Sequence, residues 1–264
     1  MFGNKEKKAE EEKMKGDQES NKLFSLKHYE NAVKLDSKNP EYWWDLGNCL
    51  FDVVQNATKF DWNLENVVED EDEDMKKLSR AYECFVKVDE LTDWTAWGGT
   101  GEHMKDIVGQ HFMLYERLGS VSGMLKFPDA ALLWFQKQKE LFELTSQGGM
   151  EWTTESIRNL HTNFGGSWID RMEEKYSEGH NYFKILAAFT TAKVCYANAL
   201  EVSPGDEQIK SLQKKASERF NEIMKESGEE TRDGEKWICP ECGEECFMVT
   251  CAVHYMVKHP EKTL

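Results

Sequence analysis

Apolar residues recur at helical spacing along most of the chain, in blocks separated by turn signals. Residues 5–20 are dense in Lys and Glu and read as a solvated helix, frayed at its start. Leu23, Leu26, Tyr29, Ala32, Val33 and Leu35 then make a helical stripe over 22–36, closed by Asn39-Pro40. Pro40 suits a first helical turn, where its missing N–H costs nothing, and Trp43, Leu46, Gly47 and Leu50 follow on one face. Inside a helix Gly47 costs about 1 kcal/mol relative to Ala, so its presence calls for a partner helix at close range. Trp43 is assigned to the core of that pair.

The pattern breaks over 52–68 and runs into unbroken acid from Glu69 to Asp74, so 52–77 is read as an acidic insertion loop. It resumes with Leu78, Ala81, Tyr82, Phe85 and Val88, then with Met104, Ile107, Val108, His111, Phe112, Tyr115 and Leu118. Phe127, Ala130, Trp134 and Phe135 form a further block. Ile157, Leu160, Phe164, Trp168 and Met172 predict a helix that Gly165-Gly166 would kink. Over 206–226, Ile209, Leu212, Ala216, Phe220 and Ile223 leave one apolar and one polar side, as the last helix of a stack requires.

Trp43-x2-Leu46-Gly47-x2-Leu50 resembles the first helix of a tetratricopeptide repeat. Ala81 with Phe85, and Ala192, Tyr196, Ala199 and Pro204, resemble its second helix; Trp97 and Gly101 repeat the first-helix interval in degenerate form. The aromatic anchors Tyr29, Phe85, Trp134 and Tyr196 stand 56, 49 and 62 residues apart. Against a family period of about 34 residues, each unit must carry long helices or insertions. The resemblance implies an all-α, TPR-like helical-hairpin array (an α-solenoid) over residues 1–227, and a groove that takes a partner peptide or helix.

Charge narrows the partners. Lys and Arg number 33 against 49 Asp and Glu, a net of −16, which repels nucleic-acid phosphates and anionic membranes and attracts basic protein segments. The charged N-terminus is read as no secretory signal, and no apolar run reaches the length of a membrane span. An intracellular protein, cytoplasmic or nuclear, is expected. Of seven cysteines, Cys49, Cys84 and Cys195 are scattered through helical stripes and read as core, while four crowd the C-terminus.

Those four follow a polar linker, 228–235. Cys239, Cys242, His254 and His259 stand as Cys-x2-Cys-x11-His-x4-His, two thiolates on a turn and two imidazoles at helical spacing, which closes a tetrahedral Zn2+ site. Residues 236–264 thus resemble a two-Cys, two-His zinc finger of ββα fold, one residue shorter than usual between the pairs. Cys246 and Cys251 fall at core positions of such a finger and are also the alternative ligands. A closed four-ligand sphere is structural, with no place for substrate. Phe247, Thr250 and Val253 occupy the positions that would read bases; none carries a bidentate donor for a purine, so the face is expected to dock on protein.

The function these readings support is a non-catalytic interaction scaffold. Trp44, Asn48 and Trp94 are the candidate contacts on the array, and Phe247 and Val253 those on the finger. Within the family, a clamp for acidic peptide C-termini uses a Lys four residues before an Asn. Here Asn48 matches, Trp44 takes the Lys place, and Thr95 and Gly99 stand where cations belong. A cochaperone-like adaptor without that clamp is the first alternative; a nucleic-acid-associated finger is the second. His103, His161 and His180 have no nucleophile at recognisable spacing, and no phosphate-cradling Gly loop occurs, so no enzyme activity is expected.

Overall fold

The computed structural model describes residues 2–57, 71–92, 102–179, 182–227, 236–238 and 245–247. The chain divides into two compact units, Met1–Phe127 and Pro128–Leu264. The first contains α1 (Phe2–Gln18), α2 (Lys22–Leu35), α3 (Pro40–Ala57), α4 (Glu71–Leu91) and α5 (Glu102–Met124), each packed on the one before. The second contains α6 (Pro128–Gln147), α7 (Thr154–Ser177), α8 (Tyr182–Val202) and α9 (Glu207–Glu226), again packed in sequence. A two-stranded antiparallel ribbon, β1 (Lys236–Ile238) with β2 (Glu245–Phe247), lies in the same stretch of chain and pairs Trp237 with Cys246.

Side-chain caps fix the helix starts. Asn21 accepts the Leu23 N–H at 3.0 Å and Asn39 that of Glu41 at 3.0 Å. Asp206 accepts from both Gln208 and Ile209, which opens α9 where the sequence placed the closing helix. That helix buries Ile209, Ala216, Phe220, Ile223 and Met224.

Long-range bonds give the direction of each helix. Gly16 near the end of α1 accepts from Ser25 near the start of α2, whereas Glu12 further back meets His28 and Asn31. These two helices are therefore antiparallel. Lys22, opening α2, faces Cys49 and Asp52 towards the end of α3, so that pair is antiparallel too. It follows that α1 and α3 run parallel, and the Tyr42 hydroxyl donates to Glu10 across an interval of 32 residues. In the second unit α7 and α9 are parallel in the same sense, through Arg158 to Asp206, Arg219 to Glu173 and Tyr176 to Glu226, at intervals of 48, 46 and 50. That α1 lies parallel to α3 and α7 to α9 is the construction of stacked hairpins, with an interval of 32 residues in the first unit, close to the family period of about 34, and a longer one in the second.

A glycine facing an aromatic ring recurs in these hairpins. A Cβ placed on Gly16 would lie 2.7 Å from the ring of Tyr29, one on Gly47 2.8 Å from Phe85, and one on Gly165 3.0 Å from Tyr196. Three of the four aromatic anchors are thus the rings that sit on a glycine of the preceding helix. Helix α7 runs through Gly165-Gly166 as one helix, as expected, and Gly165 admits the ring of Tyr196. Phe164, Trp168, Met172, Phe189, Tyr196 and Phe220 form the core around it, with Phe189 and Phe220 stacked at 4.1 Å.

Three expectations change. The insertion is narrower than 52–77, since α3 continues to Ala57 and α4 begins at Glu71. Phe51 and Val54 extend the buried stripe of α3, and the acids from Glu71 to Asp74 occupy the first turn of α4, where negative charge is favoured by the helix dipole. Trp43 is only half-buried, because its indole N–H donates to the Ser37 carbonyl at 2.9 Å and Arg80 lies over its ring; Tyr42 and Leu46 enter the core instead. Helix α1 is solvated along most of its length, but it also packs on α2 and reaches α3.

Adjacent glycines provide the test. Phe85 and Tyr196 are fully buried and cannot swing aside, so Gly47→Ala and Gly165→Ala should each cost about 1–3 kcal/mol. Nothing lies within 4 Å of a Cβ on Gly166. Gly166→Ala should gain up to about 1 kcal/mol from helix propensity, read as opposite shifts of thermal midpoint for neighbouring positions.

Candidate interaction surface on helix α3

Helix α3 carries the predicted contacts Trp44 and Asn48, and it brings them together, since residues four apart share a helix face. Trp44 is half-buried with its ring edge-on to Phe85 at 5.5 Å, so one side of the indole is spent on the hairpin. Between them Asp45 points towards α1. The Oδ2 of Asp45 and the Oδ1 of Asn48 are buried without a hydrogen-bond partner among the described residues.

The cation nearest to Asp45 is Lys13 of α1. Its ammonium lies 3.0 Å from Asp17, 3.2 Å from Glu41 and 3.6 Å from Asp45 Oδ2, the last an ion pair too long for a hydrogen bond. Burial opposes the charge on Lys13, but the Asp17 hydrogen bond and the fields of Asp45 and Glu41 prevail and hold its pKa above the usual lysine range. Burial dominates at Asp45 and pushes its carboxyl up to about 6; Lys13 pulls it down, and Asp17 and Glu41 push it further up. One lysine thus serves three carboxylates. Three carboxylates around one ammonium leave this cluster rich in acceptors and short of donors.

Glu12, also on α1 but with partners of its own, behaves oppositely. Hydrogen bonds from Lys15 and His28 outweigh its desolvation and hold its carboxyl down to about 2. Neither Lys13 nor Asp45 was identified from the sequence. The available signal was Gly16, spaced ahead of Tyr29 and of Pro40 much as a first-helix glycine would be, which would have made α1 part of a hairpin.

The scattered cysteines are buried thiols. Burial pushes Cys49 up to about 11 and Cys84 and Cys195 up to about 12, which makes them poor nucleophiles. His161 is half-buried, and that burial, with Lys139 nearby, holds its pKa below the ordinary value. Trp94, Cys239, Cys242, Cys251, Val253, His254 and His259 lie outside the described residues, as does His180. Cys246 and Phe247 fall on β2. Among the described residues, no helix is long and apolar enough to cross a membrane.

No family model matches the sequence, and no curated protein matches it. Among solved structures the chain is similar to the crystal structure of MamA protein, at 14% identity over 90% of this chain and 98% of that one, with a TM-score of 0.43. A likeness so distant transfers neither family nor function.

Asp45 makes the surface pH-dependent. Its folded pKa of about 6 exceeds the unfolded value of about 3.9, so the folded state binds the proton more tightly and this contribution fades as pH rises through 6. Denaturation of the wild type and of Asp45→Asn at several pH values should show the variant gaining stability relative to wild type between about pH 4 and 7. Parallel profiles would show that Asp45 titrates normally.

Proposed function

We propose that this chain is a non-catalytic scaffold that binds a protein partner, a peptide or helix carrying basic residues, along its TPR-like hairpins. The observation that carries this reading is the repeated construction itself. Hairpins seamed at Gly47–Phe85 and Gly165–Tyr196 form the frame, and on α3 that frame holds a half-exposed indole beside the Asp45 carboxylate, whose ion-pair partner among the described residues is Lys13, and the Asn48 Oδ1, which has no hydrogen-bond partner among them. Aromatic anchors flanked by acidic groups suit basic, apolar segments. The raised pKa values of the buried Cys49, Cys84 and Cys195 thiols agree with a non-catalytic role for these residues.

The second element of the proposal is a structural zinc module over 236–264, held by Cys239, Cys242, His254 and His259. What supports it is the ribbon: β1 and β2 pair as a hairpin whose six-residue connection, 239–244, carries both Cys239 and Cys242. A strand pair joined through a Cys-x2-Cys segment fits the donor set of a two-Cys, two-His site. Bound there, zinc would supply folding free energy to a segment too small to hold itself, and Phe247 and Val253 would face protein. The intracellular, cytoplasmic or nuclear location belongs to this reading.

Both elements are open to experiment. Affinity capture with the whole chain, with Trp44→Ala and with a form lacking 236–264 should show a partner retained by the first and lost or much weakened by the second. Retention unchanged by Trp44→Ala would move the contact away from α3. Metal analysis should find about one zinc per chain, abolished by Cys239→Ser. Metal-free protein with readily oxidised Cys239 and Cys242 would sink the zinc site.

A further inference from the structure

Helix α1 is docked mainly by polar contacts; its apolar burial is confined to Ala9 and to the Tyr29 ring seated on Gly16. Among its residues whose side chains are described, only Ala9 and Gly16 are buried, and its one large apolar side chain there, Met14, is 45% exposed. What ties it down is a set of polar links. Glu10 accepts from Tyr42 at 3.1 Å, Glu12 meets His28 at 2.9 Å and Asn31 at 3.3 Å, and Asp17 accepts from Tyr29 at 3.0 Å. Lys13 adds its ion pairs to Glu41 and Asp45. Helix α3, by contrast, buries Tyr42, Leu46, Leu50, Phe51 and Val54.

These two kinds of attachment respond differently to conditions. Ion pairs near the surface are individually weak and screened by salt, whereas apolar burial is insensitive to ionic strength or strengthened by it. We propose that α1 is a salt-labile strap, which leaves the α2–α3 hairpin while α2, α3 and α4 stay folded. Opening bares what α1 covers: Ser25, whose hydroxyl bonds the Gly16 carbonyl, the Tyr29 ring seated on Gly16, and Tyr42. Lys13 leaves with it, so Asp45 and Glu41 lose their cation and the uncovered face becomes aromatic and acidic. This regulation of access is independent of whether a partner binds there.

Hydrogen exchange on the full chain tests it. Between about 0.1 M and about 1 M NaCl the screening length falls from about 10 Å to about 3 Å. Peptides from α1 should then exchange at least about tenfold faster, with peptides from α3 unchanged, the signature of local rather than global opening. At the lower salt Lys13→Gln should reproduce the acceleration in α1 alone, and Lys13→Arg should stay close to wild type. Protection of α1 equal to that of α3 at both salt concentrations, joint loss of protection in both helices, or an α1 unprotected even at low salt would each overturn the strap.

Discussion

The closest constraint in this fold is the approach of an aromatic ring to a bare helix backbone. Tyr29, Phe85 and Tyr196 each sit where a Cβ would be, on Gly16, Gly47 and Gly165. A helix interior resists glycine for entropic reasons, so its use at three corresponding places marks positions where packing outweighs that cost. Within each unit successive helices pack on one another, and α1 with α3 and α7 with α9 run parallel. The 32-residue interval between Glu10 and Tyr42 and the longer intervals between α7 and α9 are consequences of that repetition.

Chemistry follows from the same frame. Hairpin stacking fixes α3 with its apolar side inward, and at the border of that side lie Trp44, Asp45 and Asn48, all half-buried. Burying a carboxylate there raises its pKa, and the only cation close to it in the described network, Lys13, is shared with two other acids. The result is a surface with surplus acceptors in a chain of net charge −16. Repulsion of phosphate backbones and attraction of basic protein segments both follow from that sign.

Much of the architecture was legible because helical spacing and turn residues are local signals. The stripe from Leu23 to Leu35, the opening at Pro40, and the capped helix after Asp206 could all be read directly. Tertiary effects could not. Trp43 matched a core pattern, yet an indole needs an acceptor for its N–H, and Ser37 supplied one at the helix entrance. Helix α1 read simply as a solvated charged helix because its composition hides the few small residues, Ala9 and Gly16, that let it dock. Asp45 escaped notice for a related reason: its significance lies in burial beside residues of another helix. The acidic run proved partly helical since four of its acids begin α4, where like charges meet the positive end of the dipole.

A double-mutant cycle between Gly47→Ala and Phe85→Leu bears most directly on the seams. If the ring on the glycine is what the hairpin is built around, the smaller side chain should make room for the new methyl. The cost of Gly47→Ala would then fall in the Phe85→Leu background, with a coupling energy of about 1–2 kcal/mol in chemical denaturation. Strictly additive costs would mean that Gly47 and Phe85 are energetically independent, and that the repeat is not organised by this contact.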